Sequence, residues 1–135
     1  MSLRPPEPEP AAAPADTFSA ARAMDTVTAI AGQPRPLGSP ASDEVRDLLV
    51  ARLRAERLDA SVTTSVGANN DGGEARVGRV DNIVATLPGT APTGAVVIAA
   101  HYHSVAAGPG AADDGAAVAA ALETVRALRD GPNSR

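Results

Sequence analysis

The side chains able to do chemistry crowd into one stretch. His101-Tyr102-His103-Ser104 follows directly on an apolar run, and Asp113-Asp114-Gly115 stands at the far end of the loop that leaves it. Imidazole nitrogen and carboxylate oxygen suit hard or borderline divalent ions, and zinc accepts both. His101 and Asp113 can converge on one ion if the intervening loop doubles back. Gly108-Pro109-Gly110 continues neither strand nor helix and is the place for that reversal. On residue types alone two plainer readings stay open: a strand-end histidine satisfied by hydrogen bonds, and Asp113 or Asp114 as a helix cap.

These residues need elements to hold them. Ala95–Ala100 is apolar, rich in β-branched residues and too short for a globular helix, which suits a strand buried on both faces of a parallel sheet. In open α/β sheets ligands bind outside the carboxyl ends of strands, where His101 would then lie. A helix is expected over residues 19–31, capped by Ser19, stapled by Phe18, with Ala20, Met24, Val27 and Ile30 or Ala31 inward. Gly32 and Pro34 end it. After the turn-rich connector from Gln33 to Gly38, Ser39 caps a second helix with Pro40 at its first position. Its stripe is Val45, Leu48, Leu49 and Leu53, closing near Leu58. Strands follow at 60–66 and 77–87, separated by a loop over 67–73, with Val80, Ile83 and Val84 as core contacts. From Asp114 to Arg129 a third helix presents Val118, Ala121, Leu122, Val125 and Leu128, and Glu123 reads as a surface residue. Gly131-Pro132 stops it.

The chain of 135 residues has room for one modest domain. Phe18 and Tyr102 are its only aromatics, and every one of its 12 cationic side chains is arginine. A net charge of −4 offers no general attraction for nucleic acid or an anionic membrane, and no apolar run is long enough to span a bilayer. Without cysteine there is neither a disulfide framework nor a thiolate metal site. Residues 1–16 read as a Pro-rich disordered tail, 17–130 as a partial domain and 131–135 as a tail. A helix after a buried strand calls for another parallel strand, and none follows. The expected fold class is α/β: the N-terminal portion of a mixed, mostly parallel sheet flanked by helices in three layers, incomplete at the C-terminus. An exposed sheet edge would be available for association.

The run His101-Tyr102-His103-Ser104-Val105, with Gly110-Ala111-Ala112-Asp113-Asp114-Gly115 after it, resembles the first metal-binding segment of the co-catalytic di-zinc aminopeptidases, metallopeptidase family twenty-eight. Their usual form is His-x-Asp-Ser-Val…Gly-Ala-Asp-Asp-Gly. The helix start at Phe18, the connector Pro34 to Ser39, the Asn-Ile-Val-Ala strand (Asn82 to Ala85) and Leu87-Pro88-Gly89 are also similar. The resemblance covers about Thr17 to Leu128. It implies a zinc-exopeptidase-like fold, two zinc ions in the complete site and a peptide substrate cleaved at its N-terminal bond. By position it implies that His101 ligates one zinc, that Asp113 bridges both, and that the Asp113–Asp114 peptide bond is cis.

Two departures follow. The Asp expected two residues after the first histidine is His103, which shares a strand face with His101 and stands as a substituted outer group or an alternative ligand, as does Asp114. The Glu-Glu pair that supplies the family's general base and a further ligand is not in this sequence, and no histidine follows His103. No catalytic residue is identifiable, so the chain alone is expected to be inactive. Two other readings stay open: an unrelated metallohydrolase with His101 and His103 as a zinc dyad, or a non-catalytic scaffold. Relatives are often extracytoplasmic or membrane-anchored, whereas this sequence reads as soluble, without a signal peptide; its location is undetermined.

Overall fold

Local capping chemistry sets the first two helices. In the computed structural model, which describes residues 6–91 and 93–131, α1 spans Ala20–Ile30 and α2 spans Pro40–Ala55. Ser19 Oγ accepts from Arg22 N at 3.2 Å and Ser39 Oγ from Ser42 N at 3.2 Å, each satisfying a first-turn amide that no helical carbonyl can reach. Pro40 occupies a first-turn position, where its missing N–H costs nothing, and Arg52 and Arg54 lie at the negative end of the α2 dipole. α1 buries Ala23, Thr26, Val27 and Ile30, while Met24, expected inward, is exposed.

The strands β1 (Ala60–Asp71) and β2 (Glu74–Ala85) form one antiparallel hairpin, paired from Ala60↔Ala85 to Asp71↔Glu74. The loop expected over 67–73 shrinks to Gly72-Gly73, both at positive φ (64° and 97°). That geometry matches the right-handed twist of a two-residue hairpin, so the polar residues before it join the ladder. Ile83 packs on the core, whereas Val84, one residue on, faces outward.

The main correction concerns Ala95–Ala100. It forms no strand; it is irregular and exposed, Val96 to 93%. A strand exists only through a neighbour that takes up its N–H and C=O groups. The hairpin strands pair with each other, and none of the described residues pairs with 95–100. The observed fold is a small α/β unit with one two-stranded antiparallel sheet and three helices among the described residues.

After this run the chain makes a wide turn, Ala111–Gly115, closed by Gly115 N–H donating to Gly110 O at 3.1 Å, and enters α3 (Ala116–Asp130). The buried face of α3 is Val118, Ala119, Glu123 and Ala127, so the expected stripe is rotated and Leu128 is exposed. The rotation follows from α1. Ala119 packs against Ala23 and Val27, and small residues on both sides bring the helices close. A second cluster joins Ile30 of α1, Val45 and Leu49 of α2 and Val118 of α3, with Leu48, Ile83, Tyr102 and Leu122 around it.

Glu123, expected on the surface, is 5% exposed. Its carboxylate accepts from Ser19 N (2.9 Å), Arg22 Nε (3.0 Å) and both Arg126 Nε (2.8 Å) and Nη2 (2.7 Å). The Arg126 guanidinium, with the Ser19 amide and Arg22, holds the carboxyl at about 2, against the opposing effect of burial. The same two arginines hold the Pro-rich segment. Arg22 Nη1 donates to Ala11 O (2.7 Å) and Ala13 O (2.8 Å), and Arg126 Nη1 to Ala15 O (2.6 Å). Proline supplies carbonyls but no N–H, so such a segment carries spare acceptors that a guanidinium fork can collect. Where the sequence reads as a free tail, residues 9–17 lie against α1 and α3; residues 1–5 of that tail, and Pro132 with the rest of 132–135, lie outside the described residues.

Candidate metal centre

An extended segment carries His101 to Ser104, and its alternation sorts the side chains. Tyr102 and Ser104 turn inward. The Tyr102 ring packs on the core and its hydroxyl donates to Asp81 O at 2.9 Å. Burial, with the nearby Asp81 charge, pushes that phenol above its usual range. Asp81 is fixed in turn: Thr64 Oγ1 donates to it at 2.7 Å, and Arg46 and Arg79 reach it at 2.8 and 3.0 Å. The Thr64 hydroxyl and the two guanidiniums keep the Asp81 carboxyl below the usual carboxylate range, although burial opposes them. Ser104 is clasped by the connector: Ser104 N–H donates to Arg35 O (3.0 Å) and Arg35 N–H to Ser104 Oγ (2.9 Å).

His101 and His103 therefore share the outward face, with ring centroids 4.8 Å apart and planes tilted by 38°. The loop returns through Gly110 (φ 60°), and the Asp113–Asp114 peptide bond is cis, as the resemblance implies. This brings Asp113 Oδ1 to 3.1 Å from His101 Nε2, and His101 N–H donates to Asp114 Oδ2 at 3.3 Å. His101 Nδ1 lies 3.0 Å from His103 O. Both ring nitrogens thus face oxygens that accept hydrogen bonds, one a carbonyl and one a carboxylate. A neutral imidazole, with a single N–H, satisfies only one of them.

The pair His101 and Asp113 is brought together at the surface, with Asp113 92% exposed. Asp114 holds the His101 main chain rather than its ring. Among the described residues the His103 imidazole has no hydrogen-bond partner; its carbonyl, not its side chain, faces the His101 ring. Burial, with the neighbouring His101 and the Arg35 charge, lowers the His103 pKa, and Asp113 offsets this only in part. Among the described residues, no three or more His, Cys, Asp or Glu side chains gather as a metal-holding group. The side chains brought together among the described residues are the pair His101 and Asp113.

One participant was not visible in the sequence. Arg35, in the connector between Pro34 and Pro36, is fully buried, and its guanidinium donates to Tyr102 O, Pro109 O and Gly110 O. Desolvation lowers its pKa. A connector has no hydrophobic period to reveal which of its side chains turns inward; the prolines on either side of Arg35 were the only local sign of a fixed backbone.

A histidine and a carboxylate converging at the rim of a small α/β unit define a candidate metal-binding module. Residues 82–135 match the family model described as Peptidase family M28, a family of metallopeptidases. The matched stretch begins in β2 and includes the whole rim from His101 to Asp114 and α3. No curated protein and no solved structure matches the chain significantly.

Proposed function

We propose that this chain supplies the first half of a zinc exopeptidase site, in which His101 ligates one ion and Asp113 lies between two. The complete domain would remove N-terminal residues from peptides, with residues 95–100 as a strand of its mostly parallel sheet. What carries the reading is the pairing at His101. Nδ1 stands 3.0 Å from the His103 carbonyl and Nε2 3.1 Å from the Asp113 carboxylate, so a proton on Nδ1 would turn the Nε2 lone pair toward Asp113. Two lone-pair donors at that separation suit a shared cation: neighbouring ligands on a tetrahedral zinc with bonds of about 2.0–2.1 Å stand about 3.3 Å apart.

The residues fit zinc by type, nitrogen and oxygen without sulfur, but supply two ligands of four. The chain's own contribution is orientation. The His103 carbonyl fixes the tautomer and aim of the His101 ring, and Asp114 fixes its main chain. When bound, such ions supply Lewis-acid polarisation of the scissile carbonyl and make water easier to deprotonate. No Glu-Glu pair exists in the 135 residues to serve as general base. Purified alone, the chain is expected to show no aminopeptidase turnover.

Calorimetric titration with zinc chloride tests the reading. The expected result is saturable binding weakened at least about tenfold in both His101→Ala and Asp113→Ala, with His103→Ala close to wild type. Loss in His101→Ala and His103→Ala together, with Asp113→Ala unchanged, would favour the histidine dyad. No wild-type binding would leave a scaffold.

A further inference from the structure

We propose that Arg35 is a positioning residue for this rim: it grips both ends of the loop between His101 and Asp113 and so sets their separation. The inference rests on the metal-site reading above for its consequence, but not for its geometry. At the loop's entrance the guanidinium donates to Tyr102 O, next to His101. At its exit it donates to Pro109 O and, at 3.1 Å, to Gly110 O. Gly110 O also accepts from Gly115 N–H at 3.1 Å, the bond that closes the turn containing Asp113 and Asp114. One side chain therefore links the residue after the histidine to the turn that carries the carboxylate. The main-chain clasp between Arg35 and Ser104 ties the same grip to the connector.

The packing leaves the grip little slack. A Cβ added at Gly110 would stand 2.6 Å from Asp113 O, and one at Gly115 would stand 2.9 Å from Gly110 O and 3.4 Å from Arg35 Nη2. Among the described residues Arg35 makes no ion pair; its charge is met by carbonyl dipoles. Only a planar guanidinium reaches three carbonyls from two chain segments at once, and an ammonium on a flexible stem does not reproduce that fork. An arginine kept for charge alone would be replaceable by lysine, and one kept for the fork would not.

The test uses the full 135-residue chain and two readouts. In zinc-free protein, amide hydrogen exchange is compared at Gly115, which lies at the loop's exit, and at Leu49, in the buried face of α2. Arg35→Lys is expected to speed Gly115 exchange roughly tenfold or more while Leu49 changes less than about twofold, because two or three buried carbonyls lose donors locally. With zinc added, the same variant is expected to bind about 10–100-fold more weakly than wild type. Equal acceleration at both amides would overturn the proposal, since Arg35 would then be a general stabiliser. Faster Gly115 exchange with unchanged zinc affinity would overturn it too. If Arg35→Lys does not fold, Ser104→Ala, which removes one bond of the clasp, carries the same comparison. If wild type binds no zinc, the metal reading fails, and the exchange ratio alone decides whether Arg35 holds the loop.

Discussion

Glu123 shows how much one side chain can carry here. Its carboxyl titrates at about 2 in the folded chain against 4.5 ordinarily, because Arg126, the Ser19 amide and Arg22 all favour the charged form. A depressed folded pKa gives stability that is fully present above the unfolded value and is lost as pH falls from about 4.5 toward 2. A shift of this size is worth about 3 kcal/mol. Glu123→Gln should therefore be less stable than wild type by about that amount at pH 6, and the gap should close near pH 2. Urea unfolding at the two pH values checks it; an equal gap at both would mean the carboxylate charge is not what stabilises the junction. Neither this residue nor Arg35 was legible as buried. A hydrophobic period marks apolar positions, and a charged side chain enters the interior only when partners distant in sequence satisfy it, as the Ser19 amide does from 104 residues away.

Elements defined by local chemistry were read well. Ser19 and Ser39 act as caps, and Val45, Leu49 and Ile30 face the core, because helix periodicity and capping need only near neighbours in sequence. The face of α3 was read less well, since Ala119 carries little hydrophobic signal yet packs directly on Ala23 and Val27 of α1. Ala119→Leu should force that contact apart and cost about 1–3 kcal/mol, seen as a lower thermal midpoint. An unchanged midpoint would mean that the α1–α3 contact is loose in solution. The hairpin was half legible: its β-branched residues marked the strands, but Gly72-Gly73 was absorbed into a longer expected loop.

At the scale of the molecule, the expected mostly parallel sheet is not seen among the described residues, whose one sheet is the β1–β2 hairpin. Val96, Val97 and Ile98 have strand composition, but composition does not provide a neighbour, and in this chain they face solvent. Val97→Asp should thus shift the unfolding free energy by no more than about 0.5 kcal/mol. A loss of several kcal/mol by urea unfolding would show that the run is covered in solution. The break at the loop was legible, by contrast, because Gly108-Pro109-Gly110 continues neither strand nor helix, whereas its return, which brings a carboxylate back to a histidine 12 positions earlier, was only conditional in the sequence.

The central claim is that one cation sits between residues 101 and 113. X-ray absorption at the zinc edge of the zinc-loaded chain addresses it most directly. One imidazole in the scattering shell, with oxygens completing it at about 2.0–2.2 Å, is the predicted spectrum, and the imidazole contribution should vanish in His101→Ala. Two imidazoles in the wild-type shell, or none, would contradict the account.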